Sequence, residues 1–213
     1  IPGGTPPALP ADSSSKFTII YSLLDRYGNP AGRQWVWVNT SLAGEENKFQ
    51  SNNNGQITIT YGPKSSIGTI NITAIPLTNN TIPISKIVEF TNTAAANMEL
   101  TANPETMASR DVDPLITTDI TATVTDALGN PVENEVVTFS LGAVGYPGGP
   151  YNVTSSPSLT SNSTTTDVNG FATVQFIPGS FSTNSSSPYY SPSATGNVTI
   201  TATWNSTPEN LLV

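Results

Sequence analysis

The chain has 213 residues, of which 36% are hydrophobic and only 10% charged, with a formal net charge of −8. It contains no Cys and no His, which excludes thiol catalysis, Cys-ligated zinc, iron–sulfur clusters and any Ser-His-Asp triad built within it. The charge is lopsided: residues 1–93 hold six Lys and Arg against five carboxylates, whereas residues 94–213 hold Arg110 alone against ten, a balance that repels a phosphate backbone and argues against nucleic acid as a partner.

The first fifteen residues, "IPGGTPPALPADSSS", are rich in Pro, Gly and Ser and read as a linker. They lack the apolar core of a signal peptide, so the chain is expected to be a mature or excised piece. No apolar stretch approaches the length of a membrane span.

From Phe17 the pattern becomes period two, the mark of a strand with one buried face. Ile19, Tyr21 and Leu23 alternate with Thr18, Ile20 and Ser22. The turn Asp25-Arg-Tyr-Gly28-Asn29-Pro30 follows. Its Asp can accept hydrogen bonds from the turn backbone, and Pro30 pushes Asn29 towards extended geometry, leaving Gly28 as the left-handed residue. Val36 and Val38 then alternate with Trp35 and Trp37. "NNGQITITY" (53–61), "GTINITAI" (68–75) and "SKIVEF" (85–90) supply three further strands.

The same phrases return in the second half. Asp126-Ala-Leu-Gly129-Asn130-Pro131 repeats the turn, with Ile120, Ala122 and Val124 before it and Val137 and Phe139 after it. "VNGFATVQF" (168–176) echoes the Asn-Gly strand, and "GNVTITAT" (196–203) echoes the next. "NMELTANPETM" (97–107) opens the second copy and "NLLV" closes it. No amphipathic helix is evident. Short Thr/Val/Ile strands punctuated by Gly-Asn-Pro, Asn-Gly and Pro-Gly predict an all-β fold of two tandem immunoglobulin-like antiparallel β-sandwich domains. The predicted division is 1–15 linker-like, 16–93 first domain and 94–213 second domain. "TNTAAA" between them is too short for a floppy tether, so a stiff pair is expected.

The order strand, D-x-x-G-N-P, strand, T/S-x-x-N-G, strand, G-x-x-x-I-T-A resembles the bacterial immunoglobulin-like group 1 domain of invasin- and intimin-type surface proteins. The second copy carries that pattern in Asp126, Gly129, Asn130, Pro131, Val132, Val137, Phe139, Thr166, Asp167, Asn169, Gly170 and Ala202. The first carries it in Asp25, Gly28, Asn29, Pro30, Val36, Asn54, Gly55 and Ala74, and departs from it at Ser51-Asn52. The resemblance covers most of residues 16–213. It implies a non-catalytic structural or adhesive segment of an extracellular, cell-surface protein, such as a stalk, sheath or adhesin rod. Neighbouring domains or copies would then be its partners. Accessory domains of a larger secreted enzyme are the alternative architectural role.

The differences between the copies mark candidate sites. The offset between matched positions grows from 101 (Asp25 to Asp126) to 115 (Asn54 to Asn169) to 128 (Gly68 to Gly196). Two insertions, within 142–159 and 178–194, therefore lengthen the second copy. They carry Tyr146, Tyr151, Tyr189 and Tyr190, which either present a binding surface for a glycan or a protein or pin their own loops. With Val36 and Val38 inward, Trp35 and Trp37 must point outward, as must Ile20 and Leu24. Either this is an exposed apolar face for a partner, or the N-terminal segment or a neighbouring loop of this chain covers it. Eight Asn-x-Ser/Thr sequons occur, at Asn39, Asn71, Asn79, Asn152, Asn162, Asn184, Asn197 and Asn205. That is a slight excess for a chain so rich in these residues. Asp111 and Asp113 are the carboxylates placed for calcium, without EF-hand spacing. No other cofactor is implied. Glu45-Glu46 and Glu133/Glu135 are carboxylate pairs of the kind glycosidases use, but in a turn and at a strand start they read as solvated.

Overall fold

The computed structural model describes residues 5–77, 82–145, 155–180, 184–186 and 196–213. The chain divides into two compact units, Ile1–Thr93 and Ala94–Val213. Every regular element described is a strand, and each unit is a sandwich of two sheets around its own core.

The first unit contains β1 (Ala8–Pro10), β2 (Phe17–Ser22), β3 (Trp35–Thr40), β4 (Glu46–Gln50), β5 (Gln56–Tyr61), β6 (Gly68–Pro76) and β7 (Ile84–Thr91). A five-stranded sheet in the order β1-β7-β6-β3-β4 faces a two-stranded sheet, β2-β5. Alternation dictates the core: Phe17, Ile19 and Tyr21 from β2 meet Ile57, Ile59 and Tyr61 from β5, and both oppose Val36, Val38, Ile70, Ile72, Val88 and Phe90. The Phe90 ring packs edge-on against Phe17, with centroids 5.2 Å apart. The segment that reads as a linker contributes more than a tether. Its residues 8–10 pair in parallel with β7, and Ala11 is fully buried in the core. Parallel pairing tolerates Pro10 because β1 is an edge strand.

The second unit contains β8 (Ala95–Asn103), β9 (Thr118–Asp126), β10 (Val136–Gly145), β11 (Ser158–Leu159), β12 (Ser163–Thr165), β13 (Phe171–Ile177), β14 (Asn197–Trp204) and β15 (Thr207–Leu212). Its sheets run β12-β10-β14-β15 and β11-β13-β9-β8. Ile120, Ala122, Val124, Val137, Ile200 and Ala202 are all completely buried at its centre.

The repeated turn is built the same way in both units. Asp25 Oδ1 accepts the N–H groups of Tyr27 and Asn29 at 2.8 and 2.9 Å, and Asp126 Oδ1 accepts those of Leu128 and Asn130 at 2.9 Å each. Gly28 and Gly129 are left-handed, with φ of +85° and +83°. The Asn-Gly landmark is stricter still. A Cβ on Gly55 would lie 2.4 Å from the Leu23 carbonyl oxygen, and one on Gly170 would lie 2.5 Å from that of Val124. Both glycines also have positive φ, so steric and conformational reasons coincide.

Candidate functional site

The outer face of the five-stranded sheet in the first unit carries the two tryptophans. Val36 and Val38 are buried, so β3 turns Trp35, Trp37 and Asn39 to the other side. Trp35 is 51% exposed. Its backbone carbonyl accepts the Leu77 N–H at 2.9 Å, which sets exposed Leu77 beside it. Trp37 pairs across β3 with Ile75 on one side and Lys48 on the other. The Lys48 Nζ stands 5.3 Å from the centroid of the half-buried Trp37 ring, a cation–π contact. Trp35, Trp37, Ile75 and Leu77 thus form a flat apolar strip bordered by Gln50, Lys48 and Asn39. The described part of the N-terminal segment does not cover it: β1 extends the same sheet at its opposite edge, beside β7.

A second feature of the first unit is a cleft of about 290 Å³ between the sheets, lined by Val38, Phe49, Ile59, Tyr61, Lys64 and Glu45, among others. Glu45 lies in the β3–β4 turn, and Tyr61 and Lys64 lie at and after the end of β5. The Tyr61 hydroxyl donates to Glu45 Oε2 at 2.6 Å, the Lys64 ammonium to Oε1 at 2.5 Å, and the Thr40 hydroxyl to Oε2 at 3.0 Å. Desolvation acts on the Glu45 carboxyl most strongly and would raise its pKa. The hydrogen bonds from Lys64, Tyr61 and Thr40 together outweigh it and hold the group below its ordinary value. The hydrogen bond to Glu45 raises Lys64, and burial followed by the Glu45 bond raises Tyr61. A committed ion pair of this kind leaves neither a free base nor a free amine, so the arrangement ties two sheets together rather than performing acid–base chemistry. Glu45, expected to be solvated in its turn, is instead bonded on both oxygens, and no local pattern points to the cluster because Tyr61 and Lys64 lie 16 and 19 residues from Glu45.

The remaining candidates are dispersed. Asp111 accepts a hydrogen bond from the Ser109 hydroxyl, and Asp113 accepts one from the Leu115 N–H. Among the described residues no three carboxylates gather in a way that could hold a metal ion. Glu135 accepts the Trp204 indole N–H at 2.7 Å, and Glu133 accepts from Asn134. Asn71, Asn162, Asn184 and Asn205 are exposed, Asn39 and Asn197 are half-buried, and Asn39 and Asn71 share the tryptophan face. Tyr146, Tyr151, Tyr189, Tyr190, Asn79 and Asn152 lie outside the described residues. No helix is long and apolar enough to cross a membrane.

Comparison with protein-family models finds no match, and comparison with curated proteins finds none either. Solved structures are similar. InvD of Yersinia pseudotuberculosis shares 18% identity, with 97% of this chain and 54% of that chain covered, at a TM-score of 0.55. The D0-D1 domain of intimin shares 17%, covering 96% and 93%, at 0.37. A β-glycosidase from Bacteroides vulgatus shares 12%, covering 98% and 24%, at 0.41. This chain therefore spans about half of the InvD structure and about a quarter of the glycosidase. At such identities the InvD likeness is one of fold, two successive immunoglobulin-like sandwiches, and the two looser superpositions add no further argument.

Proposed function

We propose that this chain is a non-catalytic structural or adhesive segment of an extracellular, cell-surface protein, built from modules of the bacterial immunoglobulin-like group 1 type. The observation that carries this reading is how its polar side chains are used. In both units the same carboxylate or amide clamps, hydroxyl bridges and glycines serve the turns that hold the strands, and the Glu45–Lys64 ion pair ties sheet to sheet. Such a unit resists extension through many cross-strand hydrogen bonds loaded together. The resemblance to invasin- and intimin-type domains and the fold shared with InvD support the same reading.

Single-molecule extension tests it. Each unit is expected to rupture as one event, releasing about 300 Å of contour from the first and about 400 Å from the second, from roughly 3.5 Å per residue less the folded length. Gradual yielding without discrete events would overturn a load-bearing role. Surface labelling of intact source cells tests the location, which an exclusively internal pool would refute.

A second reading, that the segment also binds a glycan or a neighbouring protein, is favoured by the exposed Trp35/Trp37 strip. A glycan array comparing the chain with a Trp35→Ala/Trp37→Ala variant tests it. Signals lost in the variant support the strip, and an array silent for both rejects glycan recognition. The Tyr146, Tyr151, Tyr189 and Tyr190 loops are the other proposed contact surface, and Tyr189→Ala/Tyr190→Ala is its parallel test.

A further inference from the structure

The two units differ at one sheet edge. In the second, β8 pairs antiparallel with β9 along its whole length, from Ala95 opposite Asp126 to Asn103 opposite Asp119. In the first, β2, the counterpart of β9, pairs only with β5, and no described strand lies on its other side. The described residues before β2 run elsewhere: β1 lies on the opposite sheet, and the Pro7 carbonyl accepts the Glu89 N–H.

Four observations show what an edge without a described neighbour leaves open. Ile19 and Tyr21 remain 9% and 8% exposed, whereas their counterparts Ile120 and Ala122, lying under β8, are at 0%. Asp126 and Asn130 are buried at the ends of their turn, with the Asn97 side chain donating to the Asp126 carbonyl, while the corresponding Asp25 and Asn29 are exposed. On the outer side, Ile20 and Leu24 are 57% and 61% exposed, where the second unit has half-buried Thr121 and Thr125. Finally, Phe17–Leu24 contains no charge, Pro or Gly, so it carries none of the charged or proline residues that blunt an edge.

The Leu23 N–H donates inward to Gly55. Antiparallel alternation therefore turns the backbone groups of Thr18, Ile20 and Ser22 towards the open side.

We propose that the β2 edge is an acceptor for a β-strand donated by another polypeptide, added antiparallel in the register that β8 takes on β9. The template specifies the donor's chemistry. Met98, Leu100 and Ala102 are the β8 residues packed on the second core, so the donor carries apolar residues at those alternate positions. On its other face the template has Asn97 opposite Thr125, Glu99 opposite Thr123 and Thr101 opposite Thr121. Here Leu24 and Ile20 replace the two outer threonines, so the donor is apolar where β8 has Asn97 and Thr101, and polar where it has Glu99. This is strand addition to a sheet edge, in which backbone bonds supply affinity and alternate side chains supply specificity.

The test uses the whole chain and a synthetic peptide with the sequence of residues 95–104 carrying Asn97→Val and Thr101→Val. Backbone amide exchange is the readout. The peptide is expected to bind saturably and slow exchange at Thr18, Ile20 and Ser22 by about tenfold or more. The unmodified β8 peptide should bind more weakly, and a scrambled one of equal composition at least about tenfold more weakly still. Ile20→Lys, at an exposed position that leaves the core intact, should abolish binding, whereas Trp35→Ala on the other sheet should not. Equal binding by the scrambled peptide, or no protection at millimolar peptide, overturns the proposal. Protection of these amides that grows with protein concentration alone, accompanied by dimer in sedimentation, overturns a foreign donor in favour of a second copy of this chain.

Discussion

Ser51 and Thr166 form the same pair of hydrogen bonds from different side chains. The Thr166 hydroxyl donates to the Val132 carbonyl at 2.7 Å and accepts the Glu135 N–H at 2.9 Å, and the Ser51 hydroxyl donates to Ala31 and accepts from Gln34 at 2.8 and 2.9 Å. Each is only 3% exposed, so removing the hydroxyl strands two backbone groups away from water. Thr166→Val, which keeps the shape, is expected to cost the second unit about 1–3 kcal/mol in urea unfolding, and Thr166→Ser much less. Gly170→Ala should cost about 2 kcal/mol or more, since a methyl group there meets both a positive φ and the Val124 carbonyl.

The next residue along the pattern makes a pH prediction with an internal control. Asp167 Oδ1 accepts the N–H groups of Asn169 and Phe171, and Asn52 Oδ1 does the same for Asn54 and Gln56. The backbone bond from Phe171 is the largest cause holding the Asp167 carboxyl below its ordinary value. A depressed folded pKa stabilises the fold above the unfolded value near 3.8 and loses that contribution as pH falls through the folded value. Asp167→Asn should therefore leave the turn intact at neutral pH, as Asn52 does in the first unit. It should also flatten the acid limb of the second unit's stability curve, measured by unfolding from pH 5 to pH 2. An unchanged acid limb would show that the Asp167 bonds persist in the unfolded chain.

At the scale of elements, the repeat made much of the fold legible. Period-two alternation set on the Asp-x-x-Gly-Asn-Pro turn places Val36, Val38, Val137 and Phe139 inward, and therefore Trp35 and Trp37 outward, and the structure has them so. What alternation does not encode is the partner along an edge. β1 hides in a Pro-rich stretch because parallel edge pairing needs few residues and no alternation, and the inward alternation of β2 is the same whether one or two strands pair with it. The cleft was illegible for another reason. Glu45, Tyr61 and Lys64 meet only after the β3–β4 turn closes over the end of β5, and no local pattern announces that closure.

The Glu45–Lys64 pair acts at this scale, because it joins the two sheets. Glu45 lies below its ordinary 4.5, so its contribution is present above that value and fades as pH falls through the folded pKa. Lys64 lies above 10.5, so its contribution is complete below that value and fades as pH rises through the folded pKa. Between the two the tie is intact. Glu45→Gln should lower the first unit's stability at pH 7 by about 0.5–1 kcal/mol, a modest value because both side chains are about a third exposed. The difference from wild type should shrink as the wild-type carboxyl protonates in acid.

At the scale of the molecule, each unit has its own pair of sheets and its own core cluster, and none of the core residues is shared. The cooperative unit of unfolding is then the sandwich rather than the chain, so a single two-state fit to the whole protein should fail. The three tryptophans let the two events be separated: Trp35 and Trp37 report on the first unit, and Trp204, bonded to Glu135, reports on the second. With Trp204→Phe, fluorescence follows the first unit alone while far-ultraviolet circular dichroism follows both. Thr166→Val added to that background should shift only the part of the dichroism transition that fluorescence does not see. Ser51→Ala should shift the fluorescence transition and leave the other part in place. If either substitution instead moves both signals together, the units unfold as one cooperative body, and the mechanical reading must become that of one rupture rather than two.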